Sequence, residues 1–153
     1  MGLLVRLLVL GLLATNLVGC SKKDPPALHP VSGKVTYGGK AHARLMVYFR
    51  PASGPVTEYN LAVGETDGDG KLGIMAVHGG GLQAGEYKVT FNLYLDAKSG
   101  KQVTGTDKPD EAGVTTKQVI PAPYDDGTSQ DKTPVTFTVR AGQNDFEFDI
   151  PKP

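Results

Sequence analysis

The sequence has little of what marks several common protein classes. It has a single cysteine, Cys20, among its 153 residues, so no internal disulfide can form. Its 16 basic residues balance 16 acidic ones, without the positive excess that nucleic-acid binding needs. No stretch sustains the 3.6-residue apolar period of an amphipathic helix. These absences argue against a disulfide scaffold, a nucleic-acid binder and a helical protein.

Long apolar runs are also missing, and the apolar run near the N-terminus is short. Arg6 precedes an apolar stretch over 7–14, and a small residue, Gly19, comes before Cys20. A positive start, a short apolar core and small residues before a cut are the layout of a secretory signal. A membrane-spanning helix needs about 20 apolar residues, which this run does not reach. The pattern predicts a signal peptide over residues 1–19.

The end of that segment, Leu17-Val18-Gly19-Cys20, resembles the bacterial lipobox. The resemblance implies that signal peptidase II recognises Leu17, Val18 and Gly19 and cleaves before Cys20. It also implies a diacylglyceryl thioether on that cysteine, which would anchor the exported chain in a bacterial membrane. Ser21 favours the outer membrane or cell surface over the inner membrane. An ordinary cleaved signal with an incidental cysteine, or an uncleaved anchor, remains open.

The remaining chain fits one domain. Residues 20–30 are polar and proline-containing, and they predict a tether for a domain over 31–153. Apolar and polar residues then alternate with a period of two, which is typical of half-buried strands. We predict strands over 31–37, 45–49, 59–63, 72–76, 86–95, 135–139 and 146–150. Seven such strands predict two antiparallel sheets packed as an all-β sandwich.

A polar stretch at about 96–132 interrupts this alternation. It is long for a connection within a compact domain, so it is either a functional loop or a mobile surface excursion. Because Tyr124 is its only aromatic residue, we predict the mobile excursion.

Several turn-and-strand motifs occur in a recognisable order. They are Val31-Ser-Gly-Lys-Val-Thr-Tyr-Gly-Gly-Lys40, Thr66-Asp-Gly-Asp-Gly-Lys-Leu72, Gly85-Glu-Tyr-Lys-Val-Thr90 and Ala141-Gly-Gln-Asn-Asp-Phe-Glu-Phe-Asp149. Together they resemble the transthyretin-like, carboxypeptidase regulatory-like domains of bacterial lipoproteins. The resemblance implies a seven-stranded Greek-key sandwich of the transthyretin-like (prealbumin-like) type. It implies little about activity, since a fold does not dictate function.

Two glycine-rich motifs suggest chemistry. His78-Gly79-Gly80-Gly81 resembles an esterase oxyanion loop, but no Gly-x-Ser-x-Gly elbow accompanies it, so we predict a hairpin loop. Asp67 and Asp69 resemble the start of a calcium loop, with Glu65 as a further oxygen ligand. Lys71 stands where the third ligand belongs, which favours a tight turn and leaves weak calcium binding open.

Aromatic and imidazole side chains give weaker signals. The histidines at 29, 42 and 78 lack the close spacing of a zinc site. Tyrosines at 37, 48, 59 and 94 would form a sugar-binding platform if they lay together, although strand tyrosines more often pack at sheet edges.

The sequence therefore predicts a lipid-anchored, non-catalytic β-sandwich of the cell envelope with a structural or interaction role. We expect no cofactor, no metal and no nucleic acid. The membrane is the expected partner through Cys20, together with an unidentified envelope protein or glycan. The alternative is an extracellular carbohydrate- or peptide-binding module.

Overall fold

Strands supply the regular structure of the computed structural model, which describes residues 24–102, 115–127 and 130–153. Within those ranges the chain forms eleven strands and no helix. The strands are β1 (Leu28–Tyr37), β2 (Lys40–Ala41), β3 (Met46–Pro51), β4 (Ala62–Thr66), β5 (Leu72–Met75), β6 (Gly81–Gln83), β7 (Gly85–Asn92), β8 (Tyr94–Asp96), β9 (Thr116–Gln118), β10 (Thr136–Val139) and β11 (Asn144–Ile150). The all-β prediction is confirmed for the part of the chain that the structure describes.

Two main sheets face each other. The first sheet has the order β11-β1-β2, with β6 pairing with the beginning of β1; the second has the order β10-β7-β3-β4-β5. Aromatic rings join them: the ring of Phe146 in the first sheet lies 5.4 Å from that of Phe49 and 5.1 Å from that of Phe137. The arrangement is a β-sandwich over one core, with the small β8-β9 pair beside it.

The two-residue period identifies the core face of most strands. Val31 and Val35 of β1, and Phe146 and Ile150 of β11, are buried as predicted. The same holds for strands 45–49, 86–95 and 135–139, whose buried apolar residues are Leu45, Val47, Phe49, Tyr87, Val89, Phe91, Leu93, Val135 and Val139. Burying such side chains is the main source of stability in a sheet protein.

The predicted strand direction is wrong in the first sheet. β1 and β11 run parallel, with a continuous register from Val31 opposite Asn144 to Tyr37 opposite Ile150. Alternation reveals which side chains share a face, but it carries no information on which strand lies alongside or in which direction. Seven strands were predicted, whereas the described residues form eleven. The short strands β2, β6 and β9 were not predicted, and the strand predicted over 86–95 divides into β7 and β8.

The predicted face of strand 59–63 is reversed. Tyr59, Leu61 and Val63 were expected to face the core, yet β4 begins at Ala62 and buries Ala62 and Gly64. A Cβ at Gly64 would lie only 2.6 Å from Cδ1 of Leu72. Because Leu72 already fills this space, the core side of β4 accepts only small residues, and the bulky residues turn outward.

Two boundaries also change. The tether predicted to extend to residue 30 ends earlier, because Leu28 already belongs to β1 and pairs with Gln83 of β6. The polar segment over 96–132 contains β9, and Ile120 inside it is buried in the core. This part of the predicted loop is therefore packed on the domain, whereas 103–114 and 128–129 lie outside the described residues.

Candidate functional site

The predicted lipidation site lies outside the described residues, as do the three residues before it. Cys20, Leu17, Val18 and Gly19 therefore remain sequence predictions. The structure does locate the place where the chain enters the domain, at Leu28, eight residues after Cys20. No helix with the length and hydropathy to cross a bilayer occurs among residues 24–102, 115–127 and 130–153.

The Asp67 loop forms a tight turn between β4 and β5. Oδ1 of Asp67 accepts hydrogen bonds from the backbone N–H groups of Asp69 and Lys71, both at 2.9 Å. Gly70, at φ +79°, packs so closely on β1 that an added Cβ would lie 2.8 Å from the carbonyl oxygen of Val35. The turn prediction is confirmed.

The predicted calcium ligands already have partners within the domain. Oδ1 of Asp67 is hydrogen-bonded within the turn, and Glu65 lies 4.0 Å from Arg44. No group of three or more His, Cys, Asp or Glu that could hold a metal occurs in the part of the chain that the structure describes.

The three histidines occupy separate positions. Nδ1 of His29 accepts a hydrogen bond from the N–H of Gly142 at 3.3 Å. His42 lies beside the ring of Tyr37, and burial, reinforced by Lys40 and Lys152, lowers the pKa of its imidazole. His78 lies on the loop after β5 and contacts neither of the other two.

His78 belongs to a small exposed cluster with Glu58 and Tyr59. Its Nε2 lies 3.1 Å from Oε2 of Glu58, and its ring stacks on that of Tyr59 at a centroid distance of 4.7 Å. Hydrogen bonds from His78 first, and from Tyr59 second, hold the pKa of the Glu58 carboxyl below its usual value. The predicted hairpin loop is wrong, because the turn after β5 leads to β6, which pairs with β1 in the first sheet and not with β5. The imidazole is engaged by a carboxylate and a phenol ring rather than by a hydroxyl or thiol nucleophile.

The four tyrosines do not form a shared platform. Tyr37 donates its hydroxyl hydrogen to the carbonyl oxygen of Val119 at 3.0 Å, and the ring of Tyr48 lies 5.3 Å from Cζ of Arg50. Tyr59 stacks on the imidazole of the loop after β5, while Tyr94 is exposed on β8. Their ring contacts are with other residue types, as expected for tyrosines that pack singly on sheets.

A polar network centred on Arg50 was missed by the sequence analysis. Its guanidinium pairs with the carboxylate of Asp126 through two contacts: Nη1 with Oδ1, and Nη2 with Oδ2 at 3.2 Å. Thr90 completes the network, since its hydroxyl donates to Oδ1 of Asp126 at 2.5 Å and accepts from Nη1 at 3.1 Å. No local pattern links residues 50 and 126, so only the folded chain reveals the pair.

These two clusters satisfy their own charged groups. Glu58 is paired with His78, and Asp126 is paired with Arg50, which anchors the segment after β9 to the outer face of the second sheet. Comparisons with protein-family models, with curated proteins and with solved structures found no match for this chain.

Proposed function

We propose that the protein is a lipid-anchored β-sandwich of the bacterial cell envelope with a structural or interaction role and no catalytic activity. The observation that carries the proposal is the Leu17-Val18-Gly19-Cys20 motif at the end of a short apolar segment, with the only cysteine of the chain at its last position. Two acyl chains on Cys20 would anchor the protein stably, whereas one chain gives only marginal binding. Ser21 supports the outer membrane or cell surface.

The β-sandwich supports the proposed anchored domain, because it is a compact body on a short tether. Its order of turns and strands resembles that of transthyretin-like, carboxypeptidase regulatory-like domains, and on that resemblance we assign it to their Greek-key type. The internal pairing of Glu58 with His78 and of Arg50 with Asp126 favours a structural use of these charged groups. The partners in this proposal are the membrane and an envelope protein or glycan, with no cofactor.

Replacement of the cysteine tests the anchor. We expect Cys20→Ala protein to lose incorporation of labelled fatty acid and to leave the membrane fraction, because the thioether cannot form. Ser21→Ala, which keeps the cysteine and changes the adjacent residue, is the matched control and should remain labelled and membrane-bound. Labelled, membrane-bound Cys20→Ala protein would refute the proposal.

A second candidate is an extracellular carbohydrate- or peptide-binding module. The stacked rings of Tyr59 and His78 favour this second candidate, because they form an aromatic surface on loops at one end of the sandwich. A glycan array on residues 21–153 checks it: glycan binding that is lost in Tyr59→Ala but kept in Tyr94→Ala would support the module. A blank array would count against carbohydrate binding.

A further inference from the structure

An apolar patch lies on the solvent-facing side of the second sheet. Tyr48, Val63 and Met75 are directly opposite one another on the adjacent strands β3, β4 and β5. Leu61 lies just before β4 and Val77 lies in the turn after β5, so both are at the same end of this antiparallel pair. The exposed fractions are 38% for Leu61, 54% for Met75 and 76% for Val77. We call these five residues the outer apolar patch; such patches on a soluble domain mark interaction surfaces.

The patch lies near the point where the N-terminal chain enters the domain. Leu28, the first residue of β1, pairs with Gln83 of β6, whose N–H donates to the carbonyl oxygen of Tyr59 at 3.1 Å. Tyr59 stacks on His78, and Val77 is the preceding residue. Hydrogen-bonded neighbouring segments lie about 4.8 Å apart, so these two successive pairings place the chain entry and this end of the patch at the same end of the sandwich.

We infer that the outer apolar patch docks on the surface of the lipid bilayer that holds the anchor. This inference rests on the proposed lipidation of Cys20. Only seven residues, 21–27, separate Cys20 from the start of β1 at Leu28. Fully extended, the eight steps from Cys20 to Leu28 reach about 26–29 Å at 3.3–3.6 Å per residue. A tether this short keeps the patch beside the membrane, and the resulting high effective concentration makes even weak apolar contacts sufficient.

The distribution of charge favours this orientation over the opposite one. The outer side of the first sheet carries the acidic row Asp145, Glu147 and Asp149, which the register places opposite Ser32, Lys34 and Thr36. In a sandwich this side faces away from the outer apolar patch. Docking through the patch therefore points the acidic row away from anionic lipid headgroups, which would repel it.

The acidic side chains at the rim of the patch have bonding partners within the domain. Oε2 of Glu58 lies 3.1 Å from Nε2 of His78, and Glu65, on the same outer side as Val63, lies 4.0 Å from Arg44. In the tether, Lys22 and Lys23 follow Cys20 closely and add positive charge near the membrane surface. Apolar contact and charge thus select the same face.

A single introduced thiol tests the docked orientation. The thioether consumes the sulfur of Cys20, so a cysteine placed on the domain is the only free thiol of the lipidated protein. Val77→Cys lies on the patch, and Glu147→Cys is the matched control on the exposed opposite face. Each acylated protein is labelled with an environment-sensitive fluorophore and reconstituted into vesicles of phosphatidylethanolamine and phosphatidylglycerol that contain a nitroxide-labelled lipid.

We expect the probe at position 77 to lose most of its emission to the nitroxide lipid, while the probe at position 147 keeps its emission. Equal quenching at both positions on vesicle-bound protein would overturn the docking and leave the anchor intact. Self-quenching at position 77 without lipid quenching would overturn it in favour of a second copy on the patch. Acylation-competent protein that fails to float with the vesicles would overturn both the docking and the proposed function.

Discussion

At Gly33 the first and last strands approach more closely than any side chain permits. Gly33 has φ +148°, and an added Cβ would lie 1.9 Å from the carbonyl oxygen of Phe146. Only glycine therefore allows β1 to pair with β11 in this register. Gly39, at φ +73°, also has a backbone that favours glycine, but no atom lies within 4 Å of its missing Cβ.

These two glycines predict different costs for the same substitution. We expect Gly33→Ala to lower the free energy of unfolding by more than about 3 kcal/mol, because backbone strain and overpacking each cost about 1–3 kcal/mol. Gly39→Ala should cost only about 1–2 kcal/mol for its positive φ. Urea denaturation measures both, and equal costs would show that the close approach at Gly33 is not a constraint.

At the scale of elements, the segment after β9 extends the second sheet. The N–H of Phe91 donates to the carbonyl oxygen of Tyr124, and the N–H of Asp126 donates to the carbonyl oxygen of Phe91. The Arg50–Asp126 pair then fixes this segment from the outer side, with only 25% and 13% of the two side chains exposed. A partly buried, two-contact pair of this kind is stronger than an exposed one.

A double-mutant cycle tests that difference. We expect Arg50→Met and Asp126→Asn to show a coupling energy of about 1–3 kcal/mol, as is typical of groups in one network. The exposed pair of Arg44 and Glu65, replaced by glutamines, should show less than about 1 kcal/mol. Equal coupling in the two cycles would mean that the pair does not hold the segment.

The outer side of the β1–β11 pair predicts a loss of stability in acid. The hydroxyl of Thr36 donates to Oδ1 of Asp149 at 2.6 Å, and this bond first, with the N–H of Gly39 second, lowers the pKa of the Asp149 carboxyl. A carboxyl whose pKa is lower in the folded state stabilises the fold above its unfolded pKa and loses that effect as the pH falls through the folded value.

Removing the hydrogen bond from Thr36 to Asp149 should reduce the loss of stability in acid. We expect Thr36→Val to be less stable than the parent at neutral pH and to lose less stability between about pH 5 and about pH 1. Thr138→Val, which changes an exposed threonine on β10, should behave as the parent does. Denaturant midpoints across this range provide the measurement, and parallel curves for Thr36→Val and its parent would contradict the assignment.

At the scale of the whole molecule, the sequence predicts which side chains face the core better than it predicts which strands and residues pair. The alternation at 45–49 and 146–150 identifies core faces, because the two-residue period is a property of each strand alone. The parallel pairing of β1 with β11 depends on residues far apart in the chain, as does the Arg50–Asp126 pair. The inverted face of β4 depends on Leu72, so local pattern could not reveal it.

The parallel pairing of β1 with β11 also has a consequence for the export that we propose. Thr36 and Asp149, which bond across this pair, are 113 residues apart in the chain. In a chain that crosses a membrane from its N-terminus, β11 is the last strand to emerge, so the first sheet cannot close until translocation is nearly complete. Such non-local pairing is slow to form, which keeps the chain unfolded and able to thread through a narrow channel. In a chain exported as we propose, this topology would delay the closure of the first sheet until β11 has crossed the membrane.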